Sequence, residues 1–248
     1  MNKTGIVIAV GNLKGGTGKS TVAVNLACAM AVRNLRTVVL DTDPQQTAML
    51  WTRGRRLPCA IEPLPIRDFA AVGDWLNALD RARQNFQRVI IDLPAVLSPA
   101  LAAAFLAADL ILIPTTTSPI DLAATRRTLR HAKAAVSERP QRPPRLLIVP
   151  TLVRKPMVGR ARLPMELAQL GAPVGPVLHH DPAFAQSFAV SDWIGGHAPR
   201  SVGYRDLMAL EITIESLLGS LALRNAAVPT KPVREPFSSP GQAPVPAE

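Results

Sequence analysis

Aromatic residues and cysteines are scarce in this chain, and each shortage narrows what it can be. Phenylalanine, tryptophan and tyrosine make up 4% of the 248 residues, so we expect a core of aliphatic side chains and alanine. The two cysteines, Cys28 and Cys59, are far apart in sequence and lie outside any spacing typical of metal ligands. The sequence therefore predicts no disulfide framework, a reducing compartment, and a buried apolar role for Cys28.

Long apolar runs are missing as well. No stretch reaches the roughly 18 apolar residues that a transmembrane helix needs, and the short apolar run near the N-terminus does not lead into a signal-peptide cleavage site. We therefore predict a cytoplasmic protein that does not bind membranes, with one large α/β domain over residues 1–224. Residues 225–248 are rich in proline and lack periodicity, so we expect a disordered tail.

A glycine-rich loop at residues 11–21, Gly-Asn-Leu-Lys-Gly-Gly-Thr-Gly-Lys-Ser-Thr, organises the rest of the chain. An apolar run at 6–10 precedes it and a helix-like run at 22–30 follows it. Backbone N–H groups in such a loop surround phosphate oxygens, and the helix directs its positive end at them. Lys19 is placed to reach the β- and γ-phosphates, and Ser20 to bind Mg²⁺. The alternative is a simple turn with solvated lysines.

With its second lysine, Lys14, the loop resembles the deviant Walker A loop of the ParA/MinD family of ATPases. The resemblance covers about residues 5–222 and includes Asp41-Thr42-Asp43-Pro44-Gln45, which is similar to the family's D-x-D-P-Q switch. It implies a P-loop fold, namely a doubly wound, mostly parallel sheet flanked by helices, and ATP and Mg²⁺ as cofactors. It also implies an ATP-dependent homodimer in which Lys14 contacts the phosphates bound to the other subunit, as an arginine finger does.

The resemblance assigns roles to individual residues. The implied catalytic residues are Lys14, Lys19 and Asp43, where Asp43 orients the attacking water or the Mg²⁺ shell and Asp41 supports the loop. The implied metal-binding residues are Ser20, Asp43 and Asp92. Asp92 ends an apolar strand, as the aspartate of a Walker B motif does. The implied nucleotide contacts are Gly15, Gly16, Thr17, Gly18, Lys19, Ser20, Thr21, Pro150 and Thr151, the last two beside the adenine. For Asp43-Pro44 the alternative is an ordinary Asx-Pro turn.

Positive charge is in excess, with 28 Lys and Arg against 18 Asp and Glu and a net charge of +10. Such a chain attracts polyanions, and together with the resemblance this favours contacts to the DNA backbone without sequence readout. The predicted DNA-binding residues are Arg154, Lys155, Arg160, Arg162, Arg200 and Arg205. The helix that starts at Ser118-Pro119 carries a second group of basic residues, namely Arg126, Arg127, Arg130, His131 and Lys133. We interpret this group as a solubilising surface.

Weaker patterns predict the remaining elements. We expect a helix over 68–86 with Trp75 in the core, a short edge strand near Ile61 and an amphipathic helix over 202–222. The segment 174–178 is a candidate for the last strand. Asp181-Pro182 is expected to begin a short helix that places Phe184 and Phe188 in the core. The adjacent His179 and His180 are expected to be structural.

The function that these features favour is DNA segregation or cargo positioning. An ATP dimer would associate with the nucleoid, and an adaptor, ParB-like or specific to the cargo, would stimulate its slow hydrolysis. A metabolic ATP-dependent ligase or amidotransferase on the same fold is the alternative, although the sequence offers no separate acid–base set for it. A scaffold that binds ATP without cleaving it is the third possibility, and the intact Lys19, Ser20, Asp43 and Asp92 argue against it.

Overall fold

A computed structural model of the chain describes residues 5–54, 57–66, 68, 70–154 and 163–226. Its centre is a parallel sheet of six strands in the order β3-β2-β4-β1-β5-β6. The strands are β1 (Ile6–Val10), β2 (Thr37–Asp41), β3 (Ala60–Pro63), β4 (Arg88–Asp92), β5 (Leu110–Thr115) and β6 (Arg145–Pro150). The predicted doubly wound α/β fold is confirmed, and β3 is the predicted edge strand near Ile61.

Helices cover both faces of this sheet. They are α1 (Lys19–Ala31), α2 (Val72–Asn85), α3 (Pro99–Ala107), α4 (Pro119–Glu138), α5 (Leu163–Ala168), α6 (Pro182–Ala189), α7 (Ile194–His197) and α8 (Val202–Ala226), with a 3₁₀ helix at Met49–Gly54. Within the described ranges, no helix is both long enough and apolar enough to cross a bilayer.

The strands are apolar throughout because each face of the sheet has its own hydrophobic layer. Val7 and Ala9 of β1 pack into the layer that includes α2, α3, α4 and α5, together with the buried Trp75. Ile8 and Val10 point the other way, into the layer that includes α1, α6, α7 and α8. The alternation along one strand therefore places α4 and α8 on opposite faces of the sheet.

The helix starts follow the sequence signals, with one informative exception. Ser98, Ser118 and Asp181 are N-caps whose side chains accept a backbone hydrogen bond, and each is followed by proline. Helix α1 instead begins after Gly18, which has φ +83° and offers no side-chain cap. Its first amides are therefore left for a ligand, and only glycine adopts this backbone conformation without strain.

Three predicted elements differ from the structure. The helix predicted over 68–86 is shorter and forms α2, Val72–Asn85. The segment 174–178 forms no strand, because Val174 makes a single parallel bridge to Ile148 and Pro176, two residues on, has no N–H to continue a ladder. Helix α8 continues to Ala226, past its predicted end near residue 222. Residues 227–248 lie outside the described residues, so the disordered tail stays a prediction.

The two cysteines, distant in sequence, are neighbours in space. Cys28 on α1 is fully buried, and its Sγ lies 3.5 Å from Sγ of Cys59, which precedes β3. Both are free thiols. Burial raises the pKa of the Cys28 thiol well above its usual value, so this thiol stays protonated. The buried role predicted for Cys28 is confirmed, whereas the pairing with Cys59 left no signal in the sequence.

Glu211 on α8 is a carboxylate with 0% exposure. Neither of its oxygens accepts a hydrogen bond from the described residues, and its nearest cation is Arg33, with Nε 3.3 Å from Oε2. Burial raises the pKa of Glu211 above its usual value, and the Arg33 guanidinium opposes this shift. The folded protein therefore keeps a proton that the unfolded chain releases near pH 4.5.

Replacing Glu211 with glutamine is expected to stabilise the protein at neutral pH. Because its pKa is higher in the folded state, the wild type loses stability as the pH rises from about 4.5 through the folded pKa, and Glu211→Gln removes that loss. The Tm difference should grow between acidic and neutral pH. Glu215→Gln is the control, and it should lower Tm because Glu215 accepts a 2.8 Å bond from Arg88. A Tm difference that does not vary with pH would contradict this account of Glu211.

Candidate nucleotide-binding site

A cavity of about 530 Å³ opens above the glycine-rich loop, at the carboxyl edge of the sheet. Three segments line it, and each follows a strand: the loop after β1, the segment after β2 and the segment after β4. The lining residues are Gly15, Gly16, Gly18, Lys19, Ser20, Thr21, Asp43, Pro44, Gln45, Thr47, Pro94, Ala95 and Val96. This edge is where parallel α/β sheets bind ligands.

Hydrogen bonds within the loop hold it in the shape of a cradle. Gly16 has φ +76°, and Lys19 curls back so that its Nζ donates to the carbonyl of Lys14 at 3.0 Å. The Thr17 hydroxyl donates to the same carbonyl at 3.3 Å. Burial lowers the pKa of Lys19, while the carboxylates of Asp92 and Asp43 oppose that shift. Lys19 is thus a buried cation beside the uncapped start of α1, an arrangement suited to phosphate.

Asp92 is the group best suited to a metal ion. It is fully buried at the end of β4, and neither carboxylate oxygen meets a hydrogen-bond partner of good geometry among the described residues. Burial raises the pKa of Asp92 to about 7. The nearby Asp41 carboxylate adds to this shift, whereas the Ser20 hydroxyl and the Lys19 ammonium oppose it. A buried carboxylate without partners, facing a serine hydroxyl at a phosphate loop, fits Mg²⁺ held directly or through water.

Asp41 and Asp43 divide their roles. Asp41 lies opposite Asp92 in the ladder between β2 and β4, and its two oxygens accept from the backbone of Asp43 at 3.2 Å and Met49 at 3.0 Å. Asp41 therefore shapes the segment after β2. The Asp43 carboxylate accepts from the Gln45 amide at 2.9 Å, as in an Asx turn, and also lines the phosphate cavity. Asp43 therefore forms the Asx turn and belongs to the phosphate cavity at the same time.

Lys14 lies at the rim of the cavity and does not line it. Its Nζ is 3.9 Å from Oδ1 of Asp121, in the first turn of α4, and its side chain is 41% exposed. Asp121 also accepts a hydrogen bond from the Thr116 hydroxyl. An ion pair this long and this exposed is weak, so Lys14 is free to leave it.

Asn12 joins the start of the loop to α4, a role that no sequence motif predicts. Its amide nitrogen donates to the Pro114 carbonyl at 2.8 Å and to the Thr125 hydroxyl at 3.0 Å. Its amide oxygen accepts from the Thr128 hydroxyl at 3.1 Å, and that hydroxyl accepts from the Leu13 amide at 3.0 Å. The only sequence signal for this network is two threonines on the apolar face of α4.

A second, apolar cavity of about 400 Å³ adjoins the first. The two share Gly18, Ser20, Thr21 and Thr47. The walls of the second cavity are largely apolar and aromatic: Val22, Trp51, Leu152, Leu178, Pro182, Phe184, Ala185, Phe188 and Leu207, with Thr151, His179, His180 and Asp181. An apolar space large enough for a base, next to a phosphate cradle, matches the two parts of a nucleotide.

The prediction that Phe184 and Phe188 belong to the core is wrong for Phe188 and confirmed in part for Phe184, which packs against the hydrophobic layer of α1 and α8. Phe184 is half-buried, and Phe188 is 37% exposed. Both line the apolar cavity, where the Phe188 ring packs on Trp51 at 5.1 Å between centroids. His179 also lines this cavity, and its Nδ1 is 2.9 Å from Oδ2 of Asp206. Aromatic residues at helical spacing look the same in sequence whether they fill a core or line a cavity.

The two residues expected beside the adenine occupy different positions. Thr151 lines the apolar cavity and its hydroxyl donates to the Thr17 carbonyl at 2.9 Å, so it supports the loop from below. Pro150 ends β6 opposite Thr115 and is buried behind Thr151, outside the lining of either cavity.

The predicted DNA-binding residues are only partly described. Lys155, Arg160 and Arg162 lie outside the described residues. Arg154, Arg200 and Arg205 are exposed. Two of these arginines are sequence neighbours of residues that contact His179. Arg154 follows Val153, which forms a β-bridge with His179, and Arg205 precedes Asp206, whose carboxylate is hydrogen-bonded to His179. Arg154 and Arg205 therefore lie near the apolar cavity, on the α8 side of the molecule.

A phosphate loop between β1 and α1 of a parallel sheet, with Lys19, Ser20 and the buried Asp92 around it, defines a P-loop nucleotide-binding protein. Residues 8–227 match the family described as the CobQ/CobB/MinD/ParA nucleotide binding domain. The chain belongs to this family, which confirms the resemblance seen in the loop.

Two named relatives agree with this assignment. The maintenance of carboxysome distribution protein A of Gloeobacter kilaueensis is 37% identical over 133 residues, which cover 51% of this chain and 56% of that protein. The protein of the same name from Halothiobacillus neapolitanus is 31% identical over 169 residues, or 67% of this chain and 76% of that protein. The chain thus spans between half and three quarters of the length of these relatives.

Solved structures show the same fold. The Cyanothece McdA–ATP complex superposes with a TM-score of 0.69 at 18% identity, covering 88% of this chain and 97% of that one. At this identity the likeness concerns the fold alone.

Tryptophan fluorescence is expected to report nucleotide binding through Trp51. Of the three tryptophans, Trp51 lines the apolar cavity, whereas Trp75 is a buried residue of α2 and donates to the Leu64 carbonyl. Titration with Mg²⁺ and ATP or ADP should change the emission, and Trp51→Phe should remove most of that change while Trp75→Phe keeps it. An emission change that survives Trp51→Phe would place the base elsewhere.

Proposed function

We propose that this chain is a slow, Mg²⁺-dependent ATPase that forms an ATP-sandwich homodimer, binds DNA without sequence readout and positions a cargo. The cargo is a plasmid, a chromosome or a protein assembly, and an adaptor protein stimulates hydrolysis. The observation that carries the proposal is the phosphate cavity, lined by Lys19 and Asp43 and joined to an apolar cavity large enough for a base, with Lys14 at its rim and the buried Asp92 near Lys19. The site of action is the cytoplasm, in association with the nucleoid.

The residues of the site divide the chemistry between them. Lys19 and the first amides of α1 hold the phosphates, and Thr151 supports the loop from below. Ser20, Asp43 and Asp92 would hold Mg²⁺, which neutralises charge on the β- and γ-phosphates. Asp43, half-buried at the edge of the phosphate cavity, orients the attacking water. No histidine or cysteine lines the described part of this cavity, so hydrolysis depends on positioning and electrostatics.

Dimerisation is supported by the rim of the phosphate cavity. Three large apolar side chains are exposed there, Val96 by 58%, Leu97 by 62% and Ile120 by 70%. Val96 lines the cavity, and Ile120 adjoins Asp121, the partner of Lys14. A second copy docked face to face would bury these side chains and bring its Lys14 to the phosphates, which makes the dimer depend on the γ-phosphate.

The metabolic alternative has one feature in its favour, the pairing of His179 with Asp206. This pair is misplaced for transfer to an acceptor, because His179 lines the apolar cavity and not the phosphate cavity. We therefore retain the positioning function.

Replacing Lys14 with alanine should separate nucleotide binding from dimerisation. Wild-type protein should dimerise and retain duplex DNA with a slowly hydrolysed ATP analogue and not with ADP. Lys14→Ala should still bind ADP, because Lys14 does not line the cavity, yet it should stay monomeric and release DNA. Light scattering and DNA retention measure the two effects.

Two controls bracket this experiment. Lys19→Ala should bind neither nucleotide. Asp121→Asn should keep the ATP-dependent dimer, because it removes the weak ion pair of Lys14 within the monomer and keeps an oxygen that accepts from the Thr116 hydroxyl. A Lys14→Ala protein that still dimerises with the ATP analogue would refute the role of Lys14 across the dimer.

A further inference from the structure

The exposed side of α4 carries a basic surface, which we call the α4 basic face. It consists of Arg126, Arg127, Arg130, His131 and Lys133, all exposed. The opposite side of the helix is buried against the sheet through Leu122, Leu129, Ala132 and others. Arg126 and Lys133 are seven positions apart, or about 10 Å along the helix axis, so their side chains form a continuous stripe.

The cations of this face are not neutralised by a carboxylate of the described chain, a property that they share with Arg200 and Arg205 and that sets them apart from four other arginines. Arg33, Arg83, Arg88 and Arg142 each lie within 4.0 Å of a carboxylate, on Glu211, Asp109 or Glu215. Arg126, Arg127, Arg130 and Lys133 make no ion pair with any described residue. Like charges at positions i and i+4, as at Arg126 and Arg130, destabilise a helix by a few tenths of a kcal/mol. The face is therefore suited to an anion from outside the chain.

The inner side of the same helix is bonded to the phosphate loop. The hydroxyls of Thr125 and Thr128 bond the side chain of Asn12, and Thr128 also accepts from the Leu13 amide. Asp121, one turn earlier, meets Lys14. A single rigid helix thus contacts the nucleotide loop on one side and presents four cations on the other.

We propose that the α4 basic face is the surface that contacts the phosphate backbone of duplex DNA. This inference rests on the proposed DNA binding and names its location. B-DNA carries one negative charge per about 1.7 Å of helix axis, so a stripe of flexible cations about 10 Å long meets several phosphates without reading bases. Arg200 and Arg205 lie on the α8 side, across the sheet from α4, which makes the two candidate surfaces separable by mutation.

The test compares two variants of the full chain. One is Arg126→Ala with Arg130→Ala and Lys133→Ala, and the matched control is Arg200→Ala with Arg205→Ala. Binding to random-sequence duplex DNA is measured with the slowly hydrolysed ATP analogue at two salt concentrations. The α4 variant should bind roughly tenfold more weakly or worse, and its salt slope should fall by about 0.9 for each phosphate that it no longer neutralises. The control should bind as the wild type does.

Two further measurements keep the result interpretable. The α4 variant should still show the Trp51 emission change and the ATP-dependent dimer, which establishes that it folds and binds nucleotide. Replacing the same three positions with Arg126→Lys, Arg130→Lys and Lys133→Arg should restore binding, because backbone contacts need charge and not a particular geometry.

The outcomes separate this inference from the function on which it rests. If the wild type binds no DNA in any nucleotide state, the proposed DNA binding fails and this inference fails with it. If the wild type binds and the α4 variant binds equally well, the α4 assignment alone is wrong. Loss of binding in the Arg200 and Arg205 variant would then move the DNA-binding surface to the α8 side.

Discussion

The buried amide of Asn12 fixes the start of the phosphate loop, and the rest of the site is arranged from there. It ties the end of β1 to the end of β5, through the Pro114 carbonyl, and to α4, through Thr125 and Thr128. Each of these groups is buried, so any bond that broke would leave a polar group without a partner, at about 1–3 kcal/mol. The loop therefore has a rigid base, while Gly15 and Gly16 at its tip are exposed and free to adapt to phosphate.

The site holds two buried carboxylates next to a buried lysine. Asp41 and Asp92 are fully buried neighbours in the ladder between β2 and β4, and burial raises the pKa of both. Lys19 is buried beside them with its pKa lowered. A magnesium–nucleotide complex, as we propose for this site, would supply a cation for the carboxylates and an anion for the lysine, which would offset much of the desolvation that each group experiences. Lys14 remains outside this group of charges, in a weak ion pair with Asp121, and is the residue that we propose to reach a second subunit.

Local sequence signals predicted the parts of the structure that depend on neighbours in the chain. Gly18-Lys19-Ser20, the aspartates at strand ends and the Ser-Pro and Asp-Pro helix starts need only a few adjacent residues to be recognised. The approach of Cys28 to Cys59, the Asn12 network and the apolar cavity depend on residues brought together by the fold. Phe184 and Phe188 are predicted as core residues because periodicity reports which side of a helix is apolar, and not whether that side meets a packed layer or a cavity.

The central claim is that the γ-phosphate controls attachment to DNA through a dimer built at the loop. The most direct test measures binding of the wild-type chain to random-sequence duplex DNA without nucleotide, with ADP and with a slowly hydrolysed ATP analogue, at low and high salt. The account predicts binding with the ATP analogue alone, weakened steeply by salt. Binding that is indifferent to nucleotide and salt, or absent in every state, would contradict it.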